Sequence, residues 1–113
     1  MDTTFDICTT NALEHLKSGA LLVDVRELRD TQALILDAPD ITYLPFSELE
    51  QRWHELPHDR ELVIMCQNGE KSRIASQFLL QNGYTQVSVM RGGLFLWMQK
   101  AYPVIGKSFN TSF

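Results

Sequence analysis

Cysteine is scarce, with only Cys8 and Cys66 in 113 residues. Two thiols are too few for a disulfide scaffold and fit a reducing, cytoplasmic compartment in which they stay free. Long apolar runs are also missing. No stretch approaches the roughly 20 residues that cross a bilayer, so no membrane partner is expected. The opening Met1-Asp2-Thr3-Thr4 has neither the basic start nor the apolar middle of a signal peptide. Basic charge is in deficit: 14 acidic side chains outnumber 10 basic ones, and the net charge of -4 offers no general field for nucleic acid. His15, His54 and His58 lack metal-ligand spacing, so no metal is expected. There is no internal repeat, linker or low-complexity segment, and residues 1–113 read as one domain with a loosely held tail over 106–113.

Apolar runs alternate with stretches of helical period, as in a parallel sheet crossed by helices, so the class expected is α/β. A first short helix begins after Thr9-Thr10-Asn11, with Asn11 and Glu14 placed as a capping box and Gly19 as the stop. Residues 20–26 form an apolar strand that turns polar only at its end, the mark of a strand covered on both faces. Residues 27–40 are ambiguous and suggest only a helical turn before a short strand at 41–44. Ser47, with Glu50 three residues on, starts a helix that ends near Leu56-Pro57. Residues 61–66 are the most strand-like in the chain.

A turn-forming loop, Gln67-Asn68-Gly69-Glu70, then leads into a helix over 72–82 whose inward stripe is Ile74, Ala75, Phe78 and Leu79. Residues 87–90 form a further strand and Gly92-Gly93 a tight turn. Residues 94–102 form a last apolar helix halted by Pro103. Trp53 and Trp97 are expected to pack the core.

Cys66 ends a central strand and precedes a loop that feeds a helix N-terminus, the edge where open α/β sheets place their ligands. Free N–H groups of the loop and first helical turn, with the helix dipole, favour a thiolate there, and Lys71 strengthens the field. The plainer reading is a small hydrophobe closing a buried strand. Asp24 and Arg26 lie two apart on a strand, hence on one face. They form either an ordinary terminal ion pair or a brace for the neighbouring loop. Arg73 opens the helix and reads as a solvated side chain, since cations oppose the dipole at that end.

The segment Cys66-Gln67-Asn68-Gly69-Glu70-Lys71-Ser72 resembles the rhodanese active-site loop, whose pattern is Cys, two variable residues, Gly, a variable residue, Arg or Lys, and Ser. Leu22-Val23-Asp24-Val25-Arg26-Glu27 is similar to the family's Asp-Val-Arg-Glu strand end. Leu44-Pro45-Phe46-Ser47-Glu48-Leu49 resembles its Ile-Pro-hydrophobe-Ser-Glu-Leu segment, and Arg91-Gly92-Gly93-Leu94-Phe95-Leu96-Trp97 its Gly-Gly-(apolar)-Trp signature. With Gln81-Asn82-Gly83-Tyr84, these matches run in family order over residues 20–104.

The resemblance implies a five-stranded, mainly parallel sheet flanked by helices on both faces, and a ping-pong sulfur transfer needing no cofactor. Cys66 would take sulfane sulfur from thiosulfate or a persulfide and pass it to a thiol or cyanide, with a protein sulfur partner also in view. Gln67 and Glu70 depart from the usual basic loop and weaken attraction for a dianion. A weakly catalytic or non-catalytic sulfur-carrying module is the alternative. The Gly-His-Ile-Pro-Gly-Ala segment usual after the Arg-Glu strand end is absent, and Leu36-Asp37-Ala38-Pro39-Asp40 stands in its region. A cysteine phosphatase or arsenate reductase is the nearest enzyme rival. Met65 and Ser72 stand where a phosphatase signature has His and Arg, and the loop from Cys66 to Lys71 is shorter than in the phosphatase branch.

Overall fold

The computed structural model describes residues 5–106. In chain order the elements are β1 (Phe5–Ile7), α1 (Thr9–Lys17), β2 (Leu21–Asp24), α2 (Leu28–Ala33), β3 (Leu34–Leu36), β4 (Ile41–Tyr43), α3 (Leu49–Arg52), β5 (Leu62–Met65), α4 (Glu70–Gln81), β6 (Val87–Met90), α5 (Gly93–Gln99) and β7 (Val104–Gly106). Five strands form one sheet in the order β1-β6-β5-β2-β4, every pairing parallel. The fold is therefore α/β, as expected. β3 and β7 form a separate antiparallel pair.

Period-two alternation explains why the central strands read as unbroken apolar runs. In β2 and β5, Leu21, Val23, Leu62 and Ile64 join the core beneath Leu49, Ala75 and Leu79 of α3 and α4. Leu22, Val63 and Met65 join the opposite core, with Ala12 and Leu16 of α1 and Leu94 and Trp97 of α5. Each central strand thus buries both faces, which only parallel strands with helices on either side do routinely.

Several local expectations give way to tertiary structure. α1 starts at Thr9, so Cys8 is its N-cap and its Sγ accepts the Asn11 N–H at 3.5 Å; the box proposed for Asn11 and Glu14 does not form. The Ser47 helix breaks into a 3-10 turn over Phe46–Glu48, the four-residue α3 and a 3-10 turn over Trp53–Glu55. Pro45 holds the first cap position, while Ser47 donates both its hydroxyl (2.7 Å) and its N–H (3.1 Å) to the Glu27 carboxylate.

In α4 the buried face is Ser72, Ala75, Ser76 and Leu79, and Ile74 is 54% exposed. Two serines disguised that stripe. They tolerate burial because Ser72 and Ser76 donate their hydroxyls to Gly69 O and Arg73 O, at 3.1 and 2.8 Å. α5 ends at Gln99, before the expected stop, where the chain turns through Ala101 at φ 59°. Trp97 is fully buried and donates its Nε1–H to Pro103 O at 2.8 Å, while Trp53 packs half-buried against the core. Of the tail expected to be loose, Gly106 lies in β7 and residues 107–113 fall outside the described residues.

Candidate functional site

Cys66 follows directly on β5 at the carboxyl edge of the sheet and is 3% exposed. The next three residues fold back over its sulfur, and α4 begins at Glu70, two positions earlier than its pattern suggested. Gly69 makes this reversal at φ 102°, a region that an L side chain rarely enters. As a result Gly69 N–H reaches Cys66 Sγ at 3.0 Å and Ser72 N–H reaches it at 3.4 Å. The thiol in turn donates to Ser72 Oγ at 3.4 Å. Asn68 Oδ1 accepts the Glu70 N–H at 3.1 Å, which ties the crest of the loop to the first turn of α4.

A second segment fixes the loop from behind. The first turn of α5 donates Leu94 N–H to Cys66 O at 2.9 Å and Phe95 N–H to Gln67 O at 3.0 Å. This approach requires glycine at 93, where φ is +59° and an added Cβ would stand 2.2 Å from Cys66 O. The sequence marked Gly92-Gly93 as a turn; its closeness to the cysteine loop was invisible there.

The support beside the loop comes from β2, whose Asp24 pairs in register with Met65. Asp24 is fully buried and Arg26 is 5% exposed. Their ion pair closes with Arg26 Nη2 to Asp24 Oδ2 at 3.0 Å and Arg26 Nε to Asp24 Oδ1 at 3.1 Å. Arg26 Nη2 also donates to Leu34 O at 2.7 Å. The pair therefore braces the junction of α2 and β3 and makes no hydrogen bond to the loop over 67–71.

Cys66 opens into a cleft of about 230 Å³ whose loop side is Gln67, Asn68, Glu70 and Lys71. The opposite wall is Arg26, Glu27, Arg29 and Asp30. Arg26 ends the strand expected over 20–26, while Glu27, Arg29 and Asp30 fell in the undecided stretch 27–40. The wall is built by the start of α2, with Leu36-Asp37-Ala38-Pro39-Asp40 lying beyond it. A dense run of charge, Arg26-Glu27-Leu28-Arg29-Asp30, directly after a strand end was the signal that could have found it. Glu27 is held below the ordinary carboxylate range, first by the Ser47 hydroxyl and further by Ser47 N–H, Lys71 and Arg29. Lys71 reaches over the Phe46 ring, 5.6 Å from its centroid.

All the loop residues named from sequence gather around Cys66, while Arg26 lines the cleft and Asp24 lies behind it, paired to Arg26. Arg73, expected in solvent, instead pairs with Asp6 on the unforeseen strand β1. His15 pairs with Glu61 and His58 stacks on Tyr84 at 3.8 Å; neither borders the cleft. Among the described residues no group of three His, Cys, Asp or Glu could hold a metal, and no helix is long and apolar enough to cross a membrane.

Fold and site together define a class: a parallel α/β domain that presents one buried cysteine in a short loop at the carboxyl edge of its sheet. The model of the rhodanese-like domain matches residues 9–100. The chain belongs to the rhodanese-like family. It is 37% identical over 86 residues to a protein named sulfurtransferase from Allochromatium vinosum, covering 75% of this chain and 78% of that one. It is 30% identical to the tRNA sulfurtransferase of Photobacterium profundum over 70% of this chain, but spans only 17% of that protein. A crystal structure of a rhodanese-related protein from Thermoplasma volcanium superposes with a TM-score of 0.80 at 27% identity, covering 89% of this chain and 97% of that one.

Proposed function

We propose that the protein is a sulfurtransferase that moves sulfane sulfur from thiosulfate or a persulfide donor to a thiol or cyanide acceptor through a persulfide on Cys66. The observation that carries this reading is the ring of donors on the Cys66 sulfur, Gly69 N–H at 3.0 Å and Ser72 N–H at 3.4 Å, at the floor of an open cleft. Donors already aimed at a sulfur stabilise negative charge as it develops there in the reaction and need no reorganisation to do so.

In the first half-reaction the Cys66 thiolate attacks the outer sulfur of the donor. A new S–S bond forms, the donor's bond to that sulfur breaks, and its electron pair leaves with sulfite or a thiolate. In the second, the acceptor attacks the outer sulfur and the pair returns to Cys66. Ser72, whose hydroxyl bonds Gly69 O in the resting loop, can turn to the sulfur when the thiol loses its proton. The family membership and two free cysteines, which suit a reducing cytoplasm, support the same reading.

Intact mass spectrometry after exposure to thiosulfate or a low-molecular persulfide tests the proposal. Wild type gains one sulfur atom, about 32 Da, and cyanide removes it, while Cys66→Ala gains nothing. Absence of any gain on wild type with both donors contradicts the reading.

The second reading, a carrier with weak turnover serving a protein partner, draws on the exposed Gln67 and Glu70 at the cleft mouth. It predicts the same mass gain, with slow discharge to small thiols.

A further inference from the structure

The Cys66 cleft is lined by charges of both signs. Arg26, Arg29 and Lys71 meet Glu27, Asp30 and Glu70 in its lining, and Asp24, locked to Arg26, adds a fourth carboxylate behind them. Several of these are already committed. Arg26 is held by Asp24 and Leu34 O, Glu27 by Ser47, and Lys71 stands over Phe46. Arg29 and Glu70 are exposed, Asp30 is partly so, and none of the three has a side-chain hydrogen bond among the described residues. The cleft thus offers Arg29 and the exposed Lys71 as cations and Glu70 and Asp30 as anions, beside a sulfur held by neutral backbone donors.

An inorganic dianion gains little from such a lining, because four carboxylates outnumber three cations. A small molecule bearing both an ammonium and a carboxylate meets complementary charge at each end. The volume of about 230 Å³ lies below the roughly 300–1,000 Å³ usual for drug-sized ligands, which suits a donor of few atoms.

We infer that the donor is a zwitterionic amino-acid hydropersulfide of the cysteine type, its ammonium taken by Glu70 and Asp30 and its carboxylate by Arg29, which makes Glu70 and Arg29 specificity-determining residues. The inference rests on the Cys66 persulfide reading. The Cys66 thiolate attacks the terminal sulfur of the protonated hydropersulfide, forming one S–S bond as the donor's S–S bond breaks. The electron pair leaves on the donor's thiolate, the terminal proton stays with the transferred sulfur, and no external oxidant or reductant enters.

The test compares the full chain with Glu70→Gln and Arg29→Gln, measuring the rate of sulfur loading on Cys66 from cysteine hydropersulfide, N-acetylcysteine hydropersulfide and thiosulfate. Each donor's rate in a variant is divided by its wild-type rate, so intrinsic donor reactivity cancels. Glu70→Gln is expected to slow cysteine hydropersulfide about three- to tenfold while thiosulfate and the N-acetyl donor, which has no ammonium, hold steady or accelerate. Arg29→Gln slows both carboxylate-bearing hydropersulfides. Equal ratios for all three donors in Glu70→Gln overturn the inference and leave Glu70 a helix-start residue favoured by the α4 dipole. If no donor loads wild-type Cys66, the persulfide reading itself fails and this inference falls with it.

Discussion

The two cysteines of this chain occupy equivalent places in the sheet and very different environments. Cys8 follows β1 and Cys66 follows β5, with β6 between those strands, and both thiols leave the carboxyl edge just ahead of a helix. After Cys8 the helix starts at once, so the sulfur becomes the cap of α1 and receives the N–H of Asn11. After Cys66, Gln67, Asn68 and Gly69 intervene before α4, and the chain doubles back to point two N–H groups at the sulfur. The Cys8 thiol is lowered chiefly by the Asn11 N–H, then by the Thr10 N–H, with Arg91 and Lys100 adding. Cys8 borders a cleft of about 310 Å³ with Arg91, Leu96 and Lys100, but no loop folds over its sulfur, whereas Cys66 lies under its own loop at the floor of the cleft framed by α2. Three inserted residues thus separate a helix cap from a sulfur enclosed by its own loop.

The sharpest way to break this contrast is to remove what holds the Cys66 side in place. Asp24→Ala leaves the Arg26 guanidinium buried without its counter-charge and should cost about 3–5 kcal/mol of stability. Urea unfolding reads that loss, and preserved stability would show the pair to be dispensable. Gly93→Ala forces a Cβ toward Cys66 O and should cost about 1–3 kcal/mol through overpacking, with further strain at positive φ. The rate of Cys66 loading should fall at least tenfold in the folded variant, and an unchanged rate would refute the role of α5 in positioning the loop.

Ser72→Ala removes one hydroxyl beside the sulfur and should slow loading about fivefold, the equivalent of roughly 1 kcal/mol for one hydrogen bond. Stopped-flow loading kinetics measure it. Cys8→Ser, the smallest change, keeps a capping side chain and should leave both melting temperature and loading rate within error of wild type. A large drop in loading would make the two cysteines partners and dissolve the comparison.

Much of this organisation was legible in the residues. The apolar runs around β2, β5 and β6, the turn at Gly69 and the alternation of strand and helix specified a parallel α/β sheet with Cys66 at its carboxyl edge. Three things were hidden for physical reasons. β1, β3 and β7 are three residues each, too short for periodicity to register, and depend on pairing with distant partners. The inward face of α4 contains two serines that are satisfied by their own helix, so hydropathy misplaced it onto Ile74. The wall formed by Glu27, Arg29 and Asp30 is one contiguous run whose approach to the distant Cys66 loop is set by tertiary packing, and Ser47 serves that wall by holding Glu27 instead of capping a helix.

The most direct test is to load wild-type protein with a sulfur donor, block remaining thiols with an alkylating agent, and map the added sulfur by peptide mass spectrometry. The account predicts an alkylated persulfide on the Cys66 peptide and a simple alkylated thiol on the Cys8 peptide. Sulfur on Cys8, or on neither cysteine, would contradict it.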